Sequence, residues 1–168
     1  MMGDMSGLEG VEQPWRAAAA RGGLCPSDEQ AMKLLELHGN PSVAEVCLPS
    51  RPESAGVARR LTHSVTLRLW ALPPQTADSA VLLVSELVGN AVRHTGARVF
   101  GLRMLRRRGW IRIEVRDPSR GLPCLMPVQE MDTSGRGVFL VDKLSDRWGV
   151  DLLPRGKRTW FEMRVADR

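Results

Sequence analysis

Tyrosine is absent from this 168-residue chain, and phenylalanine, lysine and cysteine each occur only three times. Cys25, Cys47 and Cys124 are odd in number and never spaced as CxxC, which excludes a paired disulfide framework and a thiolate metal site. They read as reduced thiols of a cytosolic protein. No apolar run approaches the roughly 20 residues needed to span a bilayer. The opening MMGDMSGLEG lacks the basic and apolar regions of a signal peptide, so a soluble, cytoplasmic protein is expected. With so few other aromatics, Trp15, Trp70, Trp110, Trp148 and Trp160 read as packing or edge residues rather than platforms for stacked bases. His38, His63 and His94 fall in separate segments, matching neither a zinc pattern nor a Ser-His-Asp order. A Walker A sequence is also missing, which leaves a P-loop nucleotide site without support.

What is present is ample for one domain with a packed core: 43% of residues are hydrophobic and 26% charged. The net charge of +5 is uneven. Residues 1–50 hold seven acids against three bases and the remainder twelve against twenty-one, giving −4 and +9. A basic body favours an acidic partner, among them nucleic acid, nucleotide phosphates or an acidic protein. An arginine-rich composition from a GC-rich genome accounts for the same imbalance more simply.

Residues 1 to about 40 lack a sustained period and read as a poorly ordered acidic leader, with room for a short helix near Asp28–His38; the domain proper is taken as 41–168. The stretch SVAEVCLP predicts a strand ending at Pro49. Pro52 then opens a helix through Trp70, with Val57, Leu61, Val65 and Leu69 on one side and Arg59, Arg60, His63 and Arg68 on the other. Pro73-Pro74 ends it and starts a second helix from Gln75 to His94, whose apolar stripe is Val81, Val84, Val88, Ala91 and Val92, with Gly96 as its stop. From Arg98 the period becomes two, predicting a hairpin that turns at Arg107-Arg108-Gly109. A lid-like loop rich in proline, glycine and methionine follows, then a short helix at VFLVDKL and a hairpin from Trp148–Leu153 and Thr159–Val165. This order predicts an α+β fold: a two-layer sandwich with a mixed sheet covered by helices on one face.

Four places could carry chemistry. Glu86 and Asn90 are four apart on the second helix, with Arg93 one turn further, on a face opposite the apolar stripe. A carboxylate and a carboxamide so placed suit a water or hydroxyl beside a divalent cation, although a merely polar helix face has the same pattern. Gly89 between them weakens the plainer reading, because a mid-helix glycine costs about 1 kcal/mol relative to alanine. Asp117 continues the inward parity of Ile111, Ile113 and Val115, so it either pairs with a protein donor, awaits a ligand donor such as an exocyclic amine, or caps the turn at Pro118-Ser119. Ser134-Gly135-Arg136-Gly137 precedes a helix and offers free amides to an anion, or is a flexible turn. Thr159 shares the inward parity of Phe161, Met163 and Val165 near the Gly156 turn, an ordinary place for a strand threonine.

Taken in order, SELVGNAVRHTG, DPSRGLP, SGRGVFLVDKLSDRWG and GKRTWFEM resemble the N, G1, G2 and terminal GxxT motifs of the GHKL ATP-binding superfamily, over about residues 43–165. The likeness is closest to stand-alone anti-sigma-factor serine kinases and related actinobacterial ATP-binding regulatory proteins. The resemblance implies a Bergerat fold that binds ATP under a lid. By the same analogy Asn90 would hold magnesium, Glu86 would be the general base, and Asp117 would accept from adenine. Gly121, Gly135 and Gly137 would form the hinge and phosphate-facing lid, Thr159 would support adenine, and Arg93, His94 and Arg136 would contact phosphate. In one departure, Ser119 stands where the family's DxGxG pattern has its first glycine, preceded by Pro118, which implies a stiffer adenine-side loop.

The implied function is a serine/threonine kinase that transfers the γ-phosphate of ATP to an antagonist protein, with a sigma factor as a second candidate partner, and that works as a homodimer without membrane or direct nucleic-acid contact. Two other readings stay open. One is a non-catalytic switch in which ATP orders a partner surface; the other is a nucleic-acid binder using the +9 body, which has no recognition motif behind it.

Overall fold

A computed structural model describes residues 26–94, 98–118 and 144–166. Helix α1 spans Pro26–His38, and strand β1 spans Val46–Pro49. Helix α2 spans Pro52–His63 and continues as a π-helical segment, Ser64–Leu69, before helix α3 at Pro74–His94. Strands β2 (Val99–Arg107) and β3 (Trp110–Asp117) form one hairpin; β4 (Arg147–Leu152) and β5 (Lys157–Arg164) form another. The candidates Gly121, Gly135, Arg136 and Gly137, and the helix expected at 138–144 apart from Leu144, lie outside the described residues.

The five strands form one sheet in the order β1-β2-β3-β5-β4, and every described pairing is antiparallel. The α+β class is as expected, whereas the sheet is antiparallel throughout rather than mixed. Tight turns force antiparallel pairing inside each hairpin. The directions of β1 against β2 and of β3 against β5 are set by long connections that sequence pattern leaves free. Gly109, with φ 74°, closes the first hairpin in a backbone conformation that glycine adopts without strain.

Alternation decides which sheet face is covered. Phe100, Leu102 and Met104 of β2, Ile111 and Ile113 of β3, and Phe161 of β5 are fully buried on the inner face, against Leu61 and Val65 of α2 and its extension and Leu83, Val84 and Val88 of α3. Each such side chain contributes about 1.5–3 kcal/mol on burial. The helix α2 starts where expected because Pro52 takes a first-turn position behind the extended Arg51. Its widened end is a feature that apolar spacing does not show. The amide of Trp70 donates to the Val65 carbonyl at 2.8 Å, and Thr62 and Thr66 donate their hydroxyls to the carbonyls of Ala58 and Thr62, both at 2.8 Å. Such threonine back-bonding loosens a regular ladder, and the extra residue per turn keeps Val65 and Leu69 turned toward the core. Arg106 then donates to the Trp70 carbonyl at 2.6 Å, satisfying the segment's end. The short helix expected near Asp28–His38 is α1. Its Leu35 joins the core, and Asp28 pairs with Arg68 at 2.7 Å.

The outer sheet face is polar and densely paired. Arg112 reaches Glu114 at 2.7 Å, Glu162 at 3.1 Å and Asp151 at 3.4 Å. Its guanidinium lies 4.0 Å from the ring centre of Trp160, whose indole covers Gly149 and donates to Asp151 at 3.2 Å. Arg147 pairs with Glu162 and Arg116 with Glu45. Burial pushes the Glu162 carboxyl up, but hydrogen bonds from Arg147 and Arg112 outweigh it and hold the group below its ordinary value of 4.5. The Arg116 hydrogen bond holds Glu45 below the same value. A carboxylate whose folded pKa is depressed contributes stability that is present above its unfolded pKa and lost as pH falls through the folded one. Melting temperature is therefore expected to hold from pH 7 to about 5 and fall steeply below about 4.5. Thermal melts across that range check this, and Glu162→Gln should flatten the acid limb.

Candidate functional site

Two groups of residues meet the inner face of the sheet. The first is the flank of α3. Its buried positions are Ala77, Ala80, Leu83, Val84, Leu87, Val88 and Ala91, and the helix packs on β2, β3 and β5. Glu86 and Asn90 are half-buried at the margin of that stripe rather than opposite it, and Arg93 is exposed. Glu86 and Asn90 thus follow one another along the helix beside the sheet. Gly89 turns out to accommodate this chain's own arginine: Arg93 donates through Nε to the Gly89 carbonyl at 3.2 Å, and a Cβ on Gly89 would stand 3.0 Å from the guanidinium. His94 is the last residue of α3.

The second group sits where β3 ends and β5 begins. Asp117 is 2% exposed and shares the inner face with Val115 and Ile113, as its parity indicates. Its ladder partner on β5 is Lys157, itself only 6% exposed, with Nζ 3.9 Å from Oδ2 of Asp117. Thr159 is half-buried on the same face, paired with Val115 on one side and Val150 on the other. Asp117 and Thr159 are therefore diagonal neighbours on adjacent strands, about 7–8 Å apart by ordinary sheet geometry. Of the readings left open for Asp117, pairing with a protein cation is represented by the 3.9 Å approach of Lys157.

Gly156 holds this corner together. Its φ is +95°, and a Cβ there would collide with the Asp117 carbonyl oxygen and stand 2.7 Å from Cα of Pro118. The Leu153 amide donates to the Gly156 carbonyl at 2.9 Å, closing the β4–β5 turn against the end of β3. Lys157 and the structural weight of Gly156 are what sequence reasoning missed. A signal for Lys157 existed, since it has the parity of Thr159, but the neighbour across the sheet is not a local property of sequence.

The fold thus places Asp117, Thr159 and the α3 flank on one side of one sheet, in the order of the motifs that carry them. The family model described as "Histidine kinase-like ATPase domain" matches residues 48–165. The chain belongs to this family. Among solved structures, this histidine kinase-like ATPase domain is similar to the histidine kinase domain of the blue-light activated histidine kinase of Erythrobacter litoralis EL346, with 20% identity, TM-score 0.45, and coverage of 90% of this chain and 81% of that one. It is also similar to a longer structure of that kinase, at 18% identity and TM-score 0.46, covering 91% of this chain and 50% of that one. No curated protein matches the sequence.

Membership makes ATP the ligand against which the site is judged, and the described residues fit it. A deeply buried carboxylate, 3.9 Å from the Lys157 ammonium, is an acceptor suited to an exocyclic amine. Asn90 offers one oxygen ligand at the rim of the helix stripe. Among the described residues no group of three or more His, Cys, Asp or Glu is placed to hold a metal ion. Magnesium dehydrates reluctantly and takes few protein ligands beside phosphate oxygens and water, so a single carboxamide is in keeping with it. Among the described residues no helix is long and apolar enough to cross a membrane.

Proposed function

We propose that this protein is a regulatory serine/threonine kinase of the anti-sigma-factor type, which binds ATP and magnesium on the inner face of its sheet and phosphorylates a hydroxyl of an antagonist protein. One observation carries the nucleotide part: the carboxylate of Asp117 is buried diagonally opposite Thr159 on the sheet face that α3 covers. The motif resemblance supports the acceptor, a sigma factor as second partner, and a homodimer as the working form.

The acceptor oxygen would bond to the γ-phosphorus of ATP as its bond to the β-phosphate oxygen breaks and ADP leaves, and bound magnesium would offset the charge of the phosphates. Asp117 accepts from the adenine amine and fixes the base. Thr159 supports the base from the next strand, directly or through water. Asn90 would contribute an oxygen to magnesium, and Glu86, one helical turn earlier, would take the proton of the attacking hydroxyl. Arg93, at the exposed end of the same flank, donates to the Gly89 carbonyl at 3.2 Å and would swing from there to a phosphate.

Replacing Glu86 by glutamine keeps the shape and removes the base. Transfer from γ-labelled ATP should fall by about 10²-fold or more while ATP affinity stays within about threefold. Unchanged transfer would remove Glu86 from the mechanism. Retained regulation of a partner without any transfer, in both proteins, would favour a nucleotide-dependent switch.

A further inference from the structure

We propose that the outer face of the sheet, at the end remote from Asp117, is a docking surface for an extended acidic segment of a partner protein. That segment places two carboxylates, four residues apart, on Arg103 and Arg107, and an apolar side chain between them on Leu105.

Residues paired across strands share a face. The register therefore sets Arg107, Trp110 and Arg164 in one row across β2, β3 and β5, with Leu105 and Arg103 following along β2. The helices pack on the other side of these strands. The carboxylates of the outer face are already engaged: Arg116 holds Glu45, and Arg112, Arg147 and Arg158 hold Glu114, Asp151 and Glu162. At the margin, Asp146 accepts from the backbone amide of Arg164 at 2.7 Å. Among the described residues, Arg103, Arg107 and Arg164 pair with no carboxylate. Arg107 and Arg164 are exposed, and half-buried Arg103 reaches the Pro41 carbonyl at 3.5 Å.

Spacing and charge select the occupant. Arg103 and Arg107 are about 13–14 Å apart along β2, which is the rise of four residues in any extended chain, and Leu105 lies midway on the same face. An extended segment laid along β2 meets all three with an acidic, an apolar and an acidic side chain at alternate positions, because its own period is also two. Each carboxylate can take two parallel N–H···O bonds from a guanidinium. Half-buried Trp110, with the guanidiniums of Arg147 and Arg164 each 5.1 Å from its ring centre, adds apolar area at the end of the row. Nucleic acid is disfavoured. Its phosphates are far more closely spaced than these arginines, and the intervening carboxylates repel them. The Trp160 ring, which could stack a base, is covered by Arg112 at 4.0 Å on one side and lies over Gly149. A second copy of this face would bring the same arginines against carboxylates that are already taken.

The probe is the capped peptide Thr-Glu-Thr-Leu-Thr-Glu-Thr, titrated into the isotope-labelled full chain and followed by NMR. Shifts are expected along β2 and at the Trp110 indole, with binding that weakens several-fold between about 20 and 200 mM salt. The analogue with glutamine in place of both glutamates should produce none. Arg107→Glu should weaken the peptide by about tenfold or more, whereas Arg155→Glu, which reverses an exposed arginine at the other end of the sheet, should not. Should Arg107→Glu fail to fold, Arg107→Gln takes its place. No binding, equal binding by the glutamine analogue, shifts elsewhere on the protein, or an equal loss in Arg155→Glu would overturn the proposal. Tighter binding of a thymidine dodecanucleotide to the same residues would overturn it in favour of nucleic acid. A dimer in sedimentation that Arg107→Glu dissociates would overturn it in favour of a second copy.

Discussion

Gly156→Ala is expected to be among the most damaging single substitutions in the domain, lowering stability by roughly 2–6 kcal/mol. Two independent penalties combine. The residue has φ +95°, where an L side chain is strained, and the new methyl would collide with the Asp117 carbonyl and crowd Pro118. Neither obstacle is the flexible end of a side chain, so relief requires the β4–β5 turn to move off the end of β3. Asp117, Lys157 and Thr159 would then lose their common register, and nucleotide binding should fail even in the fraction that folds. Gly89→Ala is the control. Its methyl would meet only the Arg93 guanidinium at 3.0 Å, a group that can swing away, and alanine adds about 1 kcal/mol of helix preference. Urea denaturation of the two variants should therefore show a large loss for one and little change or a gain for the other. Equal, small effects would mean that the corner at Gly156 is not rigid.

Asp117→Asn is expected to act on both stability and ligand binding. The amide preserves shape but removes the charge that faces the Lys157 ammonium at 3.9 Å, and breaking a buried pair typically costs about 3–5 kcal/mol. It also replaces a charged acceptor by a neutral group carrying its own donors, which should weaken ATP binding by about 10- to 100-fold. Adding Lys157→Met to this variant should cost less than the two single losses combined, because the pair is already broken, without recovering ATP affinity. Melting temperatures and titrations of the two single variants and the double variant test that split. Strictly additive losses in stability would show that the two side chains do not interact.

These expectations rest on features of unequal visibility in the sequence. The two hairpins and the inward parity of Asp117 and Thr159 follow from period-two alternation, which needs no knowledge of neighbours. Pro52 and the Pro73-Pro74 pair mark the helix boundaries because proline fixes φ locally, and Gly109 marks the first hairpin turn because glycine admits a positive φ. The π-helical widening at Ser64–Leu69 was invisible, since a fourfold apolar recurrence fits α geometry equally well and the threonine back-bonds decide only once the chain has folded. The antiparallel direction of β3 against β5 was hidden in the same way, and with it the pairing of Asp117 with Lys157. The half-burial of Glu86 and Asn90 depends on where the sheet lies beneath α3, which a helical wheel does not contain. Of the resemblance-derived candidates, Glu86, Asn90, Arg93, Asp117 and Thr159 have described side chains, His94 is described through its backbone, and the glycines and arginine of 119–143 fall outside.

The most direct test is calorimetric titration of the purified chain with ATP, with and without magnesium, alongside Asp117→Asn. Binding that strengthens with magnesium and collapses in the variant is the expected result. No binding in either condition, or equal binding by wild type and variant, would contradict a nucleotide site centred on Asp117.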